Sequence, residues 1–178
     1  MTDAFDLCIP FILKEEGGFC NYVEDPGGAT CRGITGATLA DWRGCEVTVA
    51  DVEALTEKEA RDIYRARYWN AIRGDELPPA VALVVLDGAV NSGPKRSIMW
   101  LQAAVGFKGA AIDGQLGPKT LGAVRQLDPL MVAHEICRLR VSFYRSLPTF
   151  WKFGKGWLAR VMRLRQAVDQ FKRERPVS

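Results

Sequence analysis

Toward the end of the chain, Trp157, Val161, Leu164, Val168 and Phe171 recur at the spacing of one face of an α-helix. Upstream, Ala80–Val90 is apolar nearly all round, which predicts a helix at the buried centre of a bundle. Pro78-Pro79 opens it and Gly93-Pro94 closes it, as the asymmetry of helix-end signals requires. Thr56-Glu57-Lys58-Glu59 has the form of a capping box and predicts a helix through Tyr64 to about Trp69. Further helices are expected from about Lys95 to Val105, from Gly117-Pro118 after an Asp113-Gly114 turn, and from Asp128-Pro129 to about Leu147. At the other end, Phe5, Ile9 and Ile12 form the apolar stripe of a first helix that stops at Glu15-Glu16-Gly17-Gly18, with Pro10 inside it blurring the phase. Little reads as strand. Residues 17–33, rich in Gly, Asn, Asp and Thr, predict a loop or short hairpin. The pattern is that of a mostly α fold with no repeat and no linker, a single compact domain over 1–178.

Composition changes this picture little, and charge changes it more. The chain has 178 residues, of which 48% are hydrophobic, enough for a sizeable core. Its longest apolar run, Ala80–Leu86, is far too short to span a bilayer, and the acidic start lacks the basic region of a secretory signal. Synthesis in the cytoplasm is therefore expected. Residues 1–100 carry 10 bases against 16 acids, net −6, whereas 101–178 carry 14 bases against 5 acids, net +9. A basic C-terminal half implies either a solvated helix face or an anionic neighbour such as nucleic acid, membrane or bacterial envelope. Five cysteines without a C-x-x-C pair and a single histidine, His134, argue against a zinc site, and no metal or cofactor is expected. Free thiols are expected at synthesis, with a disulfide among Cys20, Cys31 and Cys45 open to an oxidising compartment.

Three carboxylates stand out. On a helical wheel Glu16 falls inside the apolar stripe of the first helix and Glu15 nearer its edge. A carboxylate ending an apolar stripe, followed by two glycines that admit close neighbours, suits a general acid that keeps its proton. Asp25 follows nine residues later in Asp25-Pro26-Gly27-Gly28, and two carboxylates across a cleft are what glycoside hydrolysis uses. The same residues read equally as a helix C-cap and a turn. Asp87, within the most apolar helix, must be paired, hydrogen-bonded or facing a cleft.

The segment EGGFCNYVEDPGGATCRGIT (residues 16–35) resembles the signature of the glycoside hydrolase family 108 N-acetylmuramidases. LDGAVNSGP (Leu86–Pro94), WLQAAVG (Trp100–Gly106), DGQLGPKT (Asp113–Thr120) and GWLARV (Gly156–Val161) resemble the C-terminal region of the same proteins, where peptidoglycan binding is expected. Cys20, Cys31 and Tyr22-Val23-Glu24 depart from the usual signature and leave Glu16 and Asp25 in place. The resemblance implies a lysozyme-like helical bundle with an irregular loop or small hairpin at the catalytic cleft, a catalytic lobe over 1–77 and a helical, peptidoglycan-binding-like lobe over 78–178. It implies hydrolysis between N-acetylmuramic acid and N-acetylglucosamine, with Glu16 as general acid and Asp25 stabilising the anomeric carbon or positioning water. Thr30 and Thr35 would orient that water, and Tyr64, Tyr68, Trp69, Asp87 and Asn91 are candidate sugar contacts. For each of these the competing reading is structural, the aromatics as core and Asn91 as a helix terminus.

An enzyme of this kind has peptidoglycan glycan strands as its partner and is expected to act, as a monomer, on the wall in the periplasm. It would reach the wall through a holin, as an endolysin does, or through an export system, as a secretion-associated muramidase does. A basic helix over Trp157–Arg175 would suit contact with an anionic membrane. Two rival readings remain open at this level. In the first, the chain is a non-catalytic peptidoglycan-binding module. In the second it is a nucleic-acid-binding domain, against which Arg160, Arg163, Arg165, Lys172 and Arg173 are scattered around the polar side with no DNA-binding motif.

Overall fold

The computed structural model describes residues 3–21 and 28–171. Helix α1 (Ala4–Glu16) leads into three two-residue strands, β1 (Phe19–Cys20), β2 (Thr30–Cys31) and β3 (Ile34–Thr35). Then follow α2 (Gly36–Arg43), α3 (Val49–Glu53) and α4 (Glu57–Tyr64), the last continued by a π-helical turn over Arg65–Trp69. The remaining helices are α5 (Pro79–Ser92), α6 (Pro94–Ala104), α7 (Pro118–Arg125), α8 (Pro129–Ser146) and α9 (Phe150–Gln170).

Helix α5 is the axis of the bundle. Every residue from Ala80 to Ala89 is buried, and α1, α6, α8 and α9 pack around it. A helix apolar on all sides can satisfy that surface only by being surrounded. The predicted stripe of α9 is its inner face: Val161, Leu164 and Val168 are buried, with Trp157 and Phe171 packed partly against the core. Pro10 does not interrupt α1, whose inner face is Phe5, Cys8, Ile9, Ile12 and Leu13. The Asp113-Gly114 turn before α7 is a structural joint: Gln102 of α6 donates to Asp113 Oδ1 at 2.7 Å and accepts from the Gly114 amide at 2.9 Å.

The region between α1 and α4 is more ordered than its sequence suggests. In place of a loop or single hairpin, β1, β2 and β3 form an antiparallel sheet in that order. Phe19 is paired with Cys31, and Thr30 with Thr35. Helices α2 and α3, which carry too few apolar positions to show a period, are begun by their caps. Thr35 Oγ1 accepts from the Thr38 amide at 3.1 Å. Thr48 and Asp51 form a complete capping box, with Asp51 N to Thr48 Oγ1 at 3.2 Å and Thr48 N to Asp51 Oδ2 at 2.7 Å. At α4 only half of the expected box forms. Thr56 accepts from the Glu59 amide, but the Glu59 carboxylate turns outward and makes a bidentate pair with Arg43 at 2.7 and 2.8 Å.

Candidate active site

Glu16 is the last residue of α1, and Gly17 ends the helix with φ 75°, its amide donating to Leu13 O at 3.2 Å. The Glu16 side chain turns toward the corner between β2 and β3. There Arg32 and Gly33 both have positive φ, 52° and 75°, as a tight two-residue hairpin turn requires. Gly33 is needed on a second ground. A Cβ there would lie 2.5 Å from the Tyr64 hydroxyl and 2.8 Å from Glu16 Oε2, so only a glycine lets both approach the turn. Tyr64 Oη donates to Arg32 O at 2.7 Å and holds the turn against α4. Burial, and then the Glu16 carboxylate beside it, push the Tyr64 phenol well above its ordinary pKa, so it remains a donor.

The other oxygen of Glu16 is reached from the far end of the sequence. Arg160 of α9 places Nη1 2.8 Å from Glu16 Oε1, and its Nε and Nη2 donate to Asp87 Oδ1 at 2.9 and 2.7 Å. Arg140 of α8, fully buried, lies 2.7 Å from Asp87 Oδ2 and donates to Tyr144 Oη at 3.1 Å. A line of alternating charge thus runs from the core to the site: Arg140, Asp87, Arg160, Glu16. One helical turn along α9, Arg163 grips Glu15 in a bidentate pair, both contacts at 2.7 Å. Two consecutive glutamates of α1 are held by two arginines three residues apart on α9.

These contacts revise several expectations. Glu15 is the more enclosed of the pair, its side chain 6% exposed against 20% for Glu16, because Arg163 lies across it. Arg160 is largely buried and Arg163 half exposed, and the anions both meet are the protein's own. Asp87 is fully buried between two arginines and offers no oxygen to a sugar. Trp69 is a core residue, its indole donating to Asp75 at 2.9 Å and its ring edge-on to Phe5. Tyr64 is buried and occupied with the turn, whereas Tyr68, its ring tilted 38° and centred 5.6 Å away, is only partly buried. Asn91 is exposed in the last turn of α5, its amide donating to Asp87 O at 3.0 Å.

Thr30 and Thr35 face each other across β2 and β3, as their placement in one segment suggests. The Thr35 hydroxyl, however, is committed to capping α2 and to Thr38 Oγ1 at 3.1 Å, so its role is a cap. Asp25 lies outside the described residues, as do Lys172 and Arg173. Arg140 and Arg160, the two arginines on Asp87, do not stand out in the sequence as partners of the site. The available signal was the buried Asp87, which demands a cation, together with Arg160 bordering the apolar stripe of α9.

Elsewhere, a cavity of about 850 Å³ opens between the α7–α8 corner and α9, lined by Leu127, Met131, His134, Glu135, Arg138 and Arg165 among others. None of the residues around Glu16 reaches it. His134 instead bonds Asp169 at 3.1 Å. Among the described residues all five cysteines are free thiols, and no group of three or more His, Cys, Asp or Glu side chains gathers as a metal site would.

The helical bundle, whose first helix ends in a carboxylate beside a small sheet, has a mostly α, lysozyme-like fold. The chain belongs to the glycosyl hydrolase 108 family, whose model matches residues 9–93, followed by a predicted peptidoglycan domain over 96–162. It is similar to the solved structure of SagA from Brucella abortus at 44% identity, over 96% of each chain, with a TM-score of 0.81. No curated protein matches. The enzyme is accordingly a glycoside hydrolase of a family that acts on peptidoglycan.

Proposed function

We propose that the enzyme is an N-acetylmuramidase, cleaving the β-1,4 bond between N-acetylmuramic acid and N-acetylglucosamine with Glu16 as general acid. The observation that carries this reading is the placement of Glu16. It ends α1 at the corner of the sheet, inside the matched family segment, with Oε1 held by Arg160 and Oε2 facing the Gly33 turn. An acid held from one side can present its other oxygen to the glycosidic oxygen in one orientation, which is what proton transfer in the transition state needs. Asp25, in the signature segment, is the second carboxylate of the reaction, stabilising positive charge at the anomeric carbon or positioning water. Tyr68 is the aromatic surface available to a sugar ring. The setting we adopt is that of an endolysin working on the wall after release by a holin.

The test is a digest of purified peptidoglycan by the wild type and Glu16→Gln, with products reduced and read by mass spectrometry. Muropeptides ending in reduced N-acetylmuramic acid from the wild type, and none from the variant, are expected. Intact glycan strands from both proteins, alongside tight wall binding, would leave a non-catalytic binding module instead.

A further inference from the structure

We propose that Arg160 is the positioning residue of the general acid, and that Asp87, backed by Arg140, is the anchor that fixes Arg160. This rests on the reading of Glu16 as the acid and adds the means by which it is aimed.

The geometry makes a purely structural role a poor account of Arg160. Its guanidinium uses three nitrogens at once, Nε and Nη2 on Asp87 Oδ1 and Nη1 on Glu16 Oε1, at 2.7–2.9 Å. A planar fork committed at two nitrogens to a buried acceptor cannot rotate, so the direction of its third nitrogen is set. Asp87 is fully buried on the bundle axis and held from behind by Arg140, itself fully buried and stacked over Trp100 and Tyr144 at 5.7 and 5.8 Å. The anchor is therefore enclosed in the core and closed to solvent. Glu16, by contrast, is a side chain at a helix end followed by two glycines. Among the described residues, Arg160 holds Glu16 Oε1 and the Gly33 turn faces Oε2, so loss of Arg160 releases one of the two oxygens. A buried ion pair is weak evidence for net stability, although removing one partner destabilises strongly, which is why thermal midpoints are read beside turnover.

Arg163 provides the internal comparison. It makes an equally short bidentate pair with Glu15 and ties the same two helices, yet it reaches neither Glu16 nor Asp87. If holding α9 against α1 were all that mattered, the two arginines would be interchangeable.

The experiment measures turnover and apparent KM on purified peptidoglycan for Arg160→Ala, Arg160→Lys, Arg163→Ala and Glu16→Gln, with thermal midpoints alongside. Arg160→Ala is expected to lose roughly 10²-fold in kcat, the scale of a misaimed catalytic group, with KM near the wild-type value. Added guanidinium ion should restore part of that loss, because it replaces the missing group without repairing a fold. Arg160→Lys, which keeps the charge but cannot bridge two carboxylates, should fall between Ala and wild type. Arg163→Ala should lower the midpoint while sparing kcat. Wild-type kcat in Arg160→Ala, with Glu16→Gln inactive, would overturn the positioning role alone. So would a loss in Arg160→Ala that neither guanidinium nor lysine relieves and that tracks the midpoint across variants. Activity in Glu16→Gln would remove the acid assignment and the inference together.

Discussion

Gly33 concentrates two demands at one position. Its φ of 75° excludes most side chains, and the space a Cβ would occupy is already taken by the Tyr64 hydroxyl and by Glu16. Gly33→Ala is expected to cost about 1–3 kcal/mol in urea unfolding, from the left-handed backbone and the overpacking together. It should also lower turnover more than its stability loss explains, since one of the two groups displaced is the carboxylate of the proposed acid. The glycine was recognisable in the sequence as part of the signature. The reason for it was not, because both clashing groups come from other elements, one from α1 and one from α4. The same holds for Asp87. Its need for a partner could be read from its apolar surroundings, but Arg140 and Arg160 lie 53 and 73 residues away and no local pattern names them.

The ends of α5, α6 and α8 were readable from Pro and Gly signals, whereas α9 was readable only from its 3.6-residue stripe and begins at Phe150, ahead of the expected Trp157. Helices α2 and α3 were not readable, since only Leu39 and Val52 are buried in them and no repeat can form from one position. What makes them helices is their first residue. Thr48→Ala removes the acceptor for the Asp51 amide and breaks the reciprocal bond, and should lower stability by about 1 kcal/mol in chemical denaturation. Activity at saturating substrate should be unchanged, because α3 supports the sheet from behind without touching Glu16. The Thr56-Glu59 pair shows the limit of reading caps from sequence: the same motif was present, but Arg43 outcompeted the backbone for the carboxylate.

At the scale of the molecule, the buried thiols set an alkaline boundary. Burial pushes Cys8 up to about 12 and Cys137 up to about 11, from 9.0 in the absence of the fold. Groups raised in the folded state contribute stability that is complete below the unfolded value and is lost as pH climbs through the folded ones. The urea midpoint should therefore hold steady to about pH 9 and fall between about 9 and 12, and Cys8→Ala with Cys137→Ala should flatten that fall.

The pairing of α1 with α9 joins residues 148 apart, Glu15 and Arg163, and puts Arg160 at the side of Glu16. Proteins are made from the N-terminus, so the proposed acid leaves the ribosome well before the arginine that aims it. A partly synthesised chain, or one truncated by proteolysis before α9, carries the whole signature segment and still lacks the group that orients it. The proposed activity is thereby tied to synthesis through α9, and a chain that stops short of that helix holds the acid unaimed.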